Sequence, residues 1–175
     1  MSDKNIVRTE AAPAPFQGAP YSQAIAAGGF VFVSGQLGLK PGDSAISGEI
    51  EEQTEQVFAN LEAILEEAGS GLDRIVKTTV YLQHLDDFQA MNAVYAKHVG
   101  DQPPARATVE VAKLPSGALV EIDAIAIAGR RNSARPRVRS RARSVLFWLS
   151  MLWVGGCSCA LARGGGRRER GAASG

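Results

Sequence analysis

The first 130 residues of this chain lack cysteine entirely, because Cys157 and Cys159 both lie near the C-terminus. Disulfides, thiolate nucleophiles and cysteine metal sites are therefore excluded from that segment. Histidine is also scarce: His84 and His98 have no metal-ligand spacing, so we expect both to be structural or solvated and expect no metal site. The N-terminus lacks the apolar stretch of a secretory signal, which favours a cytoplasmic location.

The first 130 residues also have fewer basic than acidic side chains. They carry 9 Lys and Arg against 17 Asp and Glu, a net charge of −8, whereas residues 131–175 carry 10 Arg and one Glu, a net charge of +9. This break predicts one domain over residues 1–130 and a separate C-terminal extension over residues 131–175. Because the acidic body offers no phosphate-neutralising face, we expect it not to bind nucleic acid.

The C-terminal extension combines seven arginines in residues 130–143 with the apolar run VLFWLSMLWV, residues 145–154. A membrane-surface or nucleic-acid-binding appendage is one interpretation, although Gly and Ser dilute the apolar stretch into a marginal membrane span. The abrupt change in composition and the use of Arg without Lys favour a disordered or non-native segment instead. We do not expect the extension to associate with a membrane.

Four segments of the first 130 residues have the composition of β-strands. Residues 28–37 are β-branched and aromatic and predict a buried strand that ends at Ser34 and Gly35. Residues 74–82 alternate between apolar and polar side chains, as a half-buried strand does. Two further strands flank the turn at residues 115–117, and the second is apolar enough on both faces to be central in a sheet.

Two helices are predicted between these strands. Residues 49–68 place apolar side chains at helical spacing, with an acidic outer face and Gly69 after the last turn. Residues 86–100 form the second periodic segment, with Asp86 or Asp87 placed to cap it. Strands followed by alternating helices and strands predict an α+β fold with the helices packed on one face of the sheet.

Two charges interrupt the last two strands: Arg106 in RATVEVAKL and Glu121 in ALVEIDAIAIA. Burying an unpaired guanidinium or carboxylate is costly, so their presence needs a reason. In a simple hairpin the two residues would lie about 17 Å apart along the ribbon. Either the two strands are not neighbours in the sheet, or a site is assembled between chains. An exposed ion pair, or two solvated edge charges, is the alternative interpretation.

The segment PARATVEVAKLPSGALVEI, residues 104–122, resembles the signature of the reactive intermediate deaminase family (RidA, also called YjgF or L-PSP). The match extends to four other motifs in the family's order: PYSQAI at 20–25, VSGQL at 33–37, VKTTVYL at 76–82 and MNAVY at 91–95. The resemblance covers roughly residues 5–129. It implies a chorismate-mutase-like α+β subunit with a mixed six-stranded sheet and two helices on one face. It also implies a homotrimer with sites in the clefts between subunits.

The activity implied by the resemblance is hydrolysis of reactive 2-imino acids, such as 2-iminobutanoate and 2-iminopropanoate, and of their enamines. The products are 2-oxo acids and ammonia, and the role is control of metabolite damage. No cofactor is expected, because an iminium carbon is already electrophilic and the protein need only hold a carboxylate, place a water molecule and move protons.

Three residues match the family's catalytic positions. Arg106 matches the residue that binds the substrate carboxylate, and its planar guanidinium is suited to donating two parallel hydrogen bonds to that group. Glu121 matches the acid/base that takes a proton from the attacking water and later helps ammonia to leave. Tyr21 matches a hydroxyl that orients water or substrate.

Four further residues match substrate-binding positions of the family. Ser34 matches a hydroxyl in the cleft, Gly35 and Thr108 match positions whose backbone N–H groups meet the ligand, and Asn92 matches a polar residue there. Thr108 stands where the family often has cysteine, so any thiol-dependent behaviour of relatives is not expected here. Taken singly, a strand-end serine and a surface asparagine also have ordinary structural explanations.

The main alternative is a binding or regulatory role, because members of this family have also been described as translation-inhibiting endoribonucleases and as chaperone-like proteins. A second alternative is a sensor that binds small carboxylates in the same cleft without turnover. The acidic body and the lack of an evident pair of catalytic histidines argue against the ribonuclease.

Overall fold

The computed structural model describes residues 4–15 and 18–129. The strands are β1 (Asn5–Val7), β2 (Ala24–Ala27), β3 (Phe30–Leu37), β4 (Ile75–Leu82), β5 (Ala105–Glu110) and β6 (Val120–Ile127), and the helices are α1 (Ile50–Glu67) and α2 (Phe88–Val99). The strands form one sheet in the order β1-β2-β3-β6-β4-β5, antiparallel except for the parallel pair β4–β5. The predicted α+β fold, a mixed six-stranded sheet with two helices on one face, is confirmed. Residues 131–175, predicted to be a separate extension, lie outside the described residues.

The core lies between the sheet and the two helices. Along β6 the side chains of Val120, Ile122, Ala124 and Ala126 are buried against the helices, while the alternate side chains face the other side. The stripe of α1 that includes Val57, Leu61, Ile64 and Leu65 is fully buried against this surface. Each such side chain contributes about 1.5–3 kcal/mol by leaving water, so this face positions the helices. The predicted central place of β6 is confirmed by its neighbours β3 and β4.

Local sequence signals account for most of the first helix. Helix α1 starts where the Glu52 carboxylate accepts a hydrogen bond from the N–H of Glu49. It ends before Gly69, which has φ +72° and therefore occupies the left-handed region that glycine tolerates. The N–H of Ser70 then donates to the carbonyl of Leu65, which satisfies the last turn. The predicted helix over residues 49–68 is confirmed.

Two local predictions were wrong. Neither Asp86 nor Asp87 caps α2 with its side chain, because a 3₁₀ turn precedes the helix and Asp87 already has a helical backbone (φ −77°, ψ −2°). Strand β3 does not end at Ser34 and Gly35. It runs to Leu37, because a bulge between Val33 and Gln36 absorbs the two residues and pairing with β6 resumes.

The face of the sheet away from the helices is open and largely apolar. Phe30 and Phe32 on β3 are 42% and 45% exposed, and Ile6, Val109 and Ile127 are also exposed. A contiguous apolar surface of this kind is typical of an interface between proteins. Within the described residues, no helix has both the length and the apolar character that a membrane span needs.

Candidate active site

Arg106 lies on the edge strand β5 and projects toward the helices. It pairs with Thr78 of β4, whose buried hydroxyl is hydrogen bonded to the Tyr95 hydroxyl (2.8 Å). Its guanidinium carbon lies 4.5 Å from the ring centroid of Tyr95 and 5.6 Å from that of Phe88, both on α2. Within residues 4–15 and 18–129, Arg106 makes no ion pair. The two rings therefore support a half-buried guanidinium, and no carboxylate among the described residues forms an ion pair with it.

Thr108 and Asn92 lie on the same side of the sheet as Arg106. Thr108 is two residues along β5, and its buried Oγ1 has no hydrogen-bond partner among the described residues. The Val111 N–H donates to the Leu82 carbonyl, and N–H directions alternate along a strand. The N–H of Thr108 therefore points away from β4, to the free edge of the sheet. Asn92 is on α2 between Phe88 and Tyr95, at spacings that put all three on one helix face.

Glu121 lies on β6 and faces the open side of the sheet. It pairs with Leu37 of β3 and Tyr81 of β4. Its side chain lies directly over Gly35, where even a methyl group would overlap the carboxylate oxygen Oε1. The pKa of Glu121 is raised from its ordinary value, first by burial and second by the negative charge of Asp123. A raised pKa makes this carboxylate a better proton acceptor than an ordinary glutamate.

Ser34 and Gly35 form the β3 bulge, and Tyr21 lies on the loop that is tied to it. The Ser34 hydroxyl donates to the Ser22 carbonyl (2.8 Å), and the Ser34 N–H donates to the Gln23 carbonyl (3.0 Å). Gln23 is itself buried, and its side-chain amide donates to the carbonyls of residues 9, 12 and 13. This network fixes the loop, on which the Tyr21 side chain is 41% exposed.

The predicted site residues thus form two groups in one subunit. The first group, Arg106, Thr108 and Asn92, lies where β5 meets α2. The second group, Glu121, Gly35, Ser34 and Tyr21, lies around the β3 bulge and the loop before β2. The pairing partners of Arg106 and Glu121 on β4, Thr78 and Tyr81, differ by three positions and so project from opposite faces. No single chain brings the two groups together, and their sharing of one ligand stays a prediction.

Three functional candidates were not predicted from the sequence. Phe88 and Tyr95 on α2 form the aromatic support for Arg106. Asp123 follows Glu121 by two residues, so it lies on the same face of β6, opposite the Ser34–Gly35 bulge. The alternation of VEIDA could have revealed this pair of carboxylates.

The two histidines have different surroundings. His98 stacks on Phe58 with ring centroids 4.4 Å apart and is hydrogen bonded to Glu55 (2.6 Å), and His84 is exposed. Among the described residues, no group of three or more metal-ligating side chains converges. His98 therefore has a structural role between α2 and α1, as expected.

These features define a class of protein: a small α+β subunit with a supported guanidinium on one face of its sheet and a half-buried carboxylate on the other. The family model described as Endoribonuclease L-PSP matches residues 9–128. The chain belongs to this family, which is also known as the RidA or YjgF family, and the resemblance found in the sequence is confirmed.

Relatives match over nearly the whole described region. A RutC family protein of Pyrococcus abyssi is 50% identical over 124 residues, 70% of this chain and 96% of that protein. The chloroplastic Reactive Intermediate Deaminase A of Arabidopsis thaliana is 47% identical over 124 residues, 70% of this chain and 65% of that protein. The crystal structure of E. coli TdcF with bound serine has a TM-score of 0.65 and 35% identity, covering 71% of this chain and 99% of that one.

Proposed function

We propose that this protein hydrolyses reactive 2-imino acids and their enamine tautomers to 2-oxo acids and ammonia, in clefts between the subunits of a homotrimer. Small substrates such as 2-iminobutanoate and 2-iminopropanoate are the expected members of this class, and the role is removal of damaging metabolites. The observation that carries the proposal is the Arg106 guanidinium, held against two aromatic rings with no carboxylate partner in the described chain.

Arg106 is suited to holding the carboxylate that every 2-imino acid carries. A guanidinium binds a carboxylate with two parallel hydrogen bonds, and an aromatic support leaves its fork free for this purpose. The outward N–H of Thr108 adds a donor two residues along the same strand. The serine bound to TdcF is an amino acid, with the same carboxylate next to a nitrogen-bearing carbon. This similarity supports an amino-acid-like ligand here.

Glu121 is suited to the proton transfers of the reaction. Its carboxylate takes a proton from water as the water oxygen bonds to C2 of the iminium, and the tetrahedral carbinolamine results. Glu121 then passes the proton to nitrogen, the C–N bond breaks as C2=O forms, and the hydroxyl proton returns to the carboxylate. The raised pKa of Glu121 supports both directions of transfer.

A second subunit is needed because one chain keeps the two groups apart, and we propose that it belongs to a homotrimer. The open apolar face offers the surface for association. In a ring of identical subunits, the interface joins two different surfaces. The Arg106 group of one subunit can then meet the Glu121 group of its neighbour.

A coupled assay tests the proposal directly. An amino-acid oxidase or a threonine dehydratase generates the imine in the presence of the protein, and release of the 2-oxo acid is followed in time. The expected result is release faster than the spontaneous rate, with the acceleration lost in Arg106→Ala. A wild-type rate equal to the spontaneous rate, in a sample that binds 2-oxo acids, would favour a carboxylate sensor without turnover.

The family description also names an endoribonuclease, but the charges of this chain do not favour that activity. Residues 1–130 have a net charge of −8, and RNA binding depends on neutralising phosphates. The two histidines also have separate surroundings, because His98 on α2 is stacked on Phe58 and hydrogen bonded to Glu55, whereas His84 precedes the 3₁₀ turn before α2 and is exposed. Ribonuclease activity that survives Arg106→Ala but disappears on deletion of residues 131–175 would support the endoribonuclease instead.

A further inference from the structure

Asp123 lies on the same face of the sheet as the second group of site residues, between the β3 bulge and β4. On one side, pairing between β6 and β3 jumps from Val33 to Gln36, so the Ser34–Gly35 bulge lies opposite Asp123. On the other side, Asp123 pairs with Thr79 of β4. Bulges of this kind are common beside active sites, where they redirect side chains.

Two hydrogen bonds fix the Asp123 carboxylate. The Thr79 N–H donates to Oδ1 (3.1 Å), and the Tyr81 hydroxyl donates to Oδ2 (3.1 Å). Tyr81 is also the pairing partner of Glu121. Burial, followed by this hydrogen bond, raises the pKa of Tyr81, so its hydroxyl stays a donor. The Asp123 carboxylate is therefore held in place, and the Cα atoms of Asp123 and Glu121 lie about 7 Å apart along the strand.

We propose that Asp123 is a positioning residue for Glu121: its fixed carboxylate, held by Thr79 and Tyr81, keeps a proton available on Glu121 for transfer to the departing nitrogen. The inference rests on the proposed function and deepens it. A carboxylate with a raised proton affinity is a better acceptor for the water proton, so a neighbouring negative charge that raises this affinity favours the use of Glu121 as acid/base.

The surroundings of Glu121 on the sheet agree with this assignment. From β6 it is faced by Asp123, whose charge adds to burial in raising the pKa of Glu121. From β4 it is faced by Tyr81 and, further along, by Lys77, whose ammonium donates to the Thr78 carbonyl (3.1 Å) and makes no ion pair with a described residue. From β3 it is faced by Gly35 and Leu37, which carry no charge.

The test replaces Asp123 with asparagine, which keeps the size and removes the charge. The full-length protein carries ¹³C-labelled glutamate, and the carboxyl signals are followed by NMR from acidic to alkaline pH. The Glu121 signal is identified by its loss in Glu121→Gln. In Asp123→Asn its titration midpoint should move to lower pH, and the acid limb of kcat/KM for imine hydrolysis should move in the same direction.

Two controls separate charge from structure. Asp43→Asn removes an equal charge from an exposed turn and should leave the Glu121 midpoint unchanged. Tyr81→Phe removes one of the two hydrogen bonds that fix Asp123 but keeps both carboxylates, so the Glu121 midpoint should move in the same direction as in Asp123→Asn, and by less. A midpoint that moves in Tyr81→Phe but not in Asp123→Asn would show that the Asp123 charge does not act on Glu121 and would overturn the inference.

The NMR titration keeps this inference separate from the proposed function. An unchanged Glu121 midpoint in Asp123→Asn overturns the inference, whatever the activity. A wild-type protein without turnover overturns the proposed function, and the titration alone then decides whether Asp123 controls Glu121.

Discussion

Arg106 and Glu121 both pair with β4, yet their side chains project from opposite faces of the sheet. Arg106 pairs with Thr78, whose hydroxyl is buried beneath α2, and Glu121 pairs with Tyr81, which faces the open side. The strand order places β4 between the two strands, so the simple hairpin is excluded. Joint action of the two charges on one ligand therefore requires a second subunit.

Replacement of Arg106 tests the carboxylate anchor. Arg106→Ala should abolish measurable imine hydrolysis, and Arg106→Lys should raise KM by roughly 30-fold, because about 2 kcal/mol of charge-assisted, bidentate hydrogen bonding is lost. Steady-state kinetics in the coupled assay measure both effects. Arg74→Lys is the matched control: Arg74 donates to the carbonyls of Ile127 and Ala128, so its loss should lower the melting temperature and leave KM unchanged. Near-wild-type KM in Arg106→Lys would contradict the bidentate grip.

Thr108 allows its hydroxyl and its N–H to be tested separately. Thr108→Val removes the unpartnered hydroxyl but keeps the N–H, so it should leave kcat and KM within about twofold and should not lower stability. Thr108→Pro removes an N–H that points away from β4, so the sheet hydrogen bonds remain. It should raise KM by about tenfold or more, the cost of one hydrogen bond to a charged ligand. Equal kinetics in the two variants would exclude a backbone contact.

The fold was predictable where local signals decide it. The periodicity of α1 and Gly69 after its last turn depend on neighbouring residues alone, and both are found in the structure. Strand order is decided by contacts distant in sequence, so the insertion of β4 between β5 and β6 could only be left as one of two alternatives. The extension of β3 to Leu37 was not predicted, because the two residues of the bulge break the alternation of apolar and polar side chains that indicates a strand. Asp123 was overlooked because a polar residue at an alternate position is expected to be solvated.

The pKa of Glu121 predicts how stability depends on pH. Because burial raises this pKa, the folded chain binds the proton more tightly than the unfolded chain. The resulting stabilisation is complete below the unfolded value and is lost as pH rises through the raised folded value. Glutamine stays neutral, so the melting temperature of Glu121→Gln minus that of wild type should increase from acidic to neutral pH.

Glu55 provides a control of opposite sign for this pH dependence. Its pKa is lowered chiefly by its hydrogen bond with His98, so its contribution to stability is lost as pH falls through the folded value. The melting temperature of Glu55→Gln minus that of wild type should therefore decrease as pH rises between about 3 and 6, below the usual range of histidine titration. The same trend in both variants would contradict the assignment of Glu121.

Mixed oligomers test whether the site is built from two subunits. Arg106→Ala and Glu121→Gln should each be inactive alone. After the two variants are unfolded and refolded together, each cleft takes Arg106 from one subunit and Glu121 from its neighbour, and random assembly of a ring gives both wild-type residues in about a quarter of the clefts. We therefore expect about a quarter of the wild-type activity, with native mass spectrometry confirming that the variants have mixed.

The control for this experiment is the same pair of variants mixed after each has folded alone. Without exchange of subunits no cleft combines both wild-type residues, so no activity should appear. Pairing Arg106→Ala with Thr108→Pro provides a second control: both changes lie in the same group, so no cleft regains that group intact and the mixed sample should show no more than the average activity of the two separate variants. Recovery in that pair, or no recovery in mixed Arg106→Ala and Glu121→Gln oligomers, would mean that the two charges do not meet across a subunit interface. Because Arg106 and Glu121 lie on opposite faces of the sheet in one chain, they would then have no common ligand.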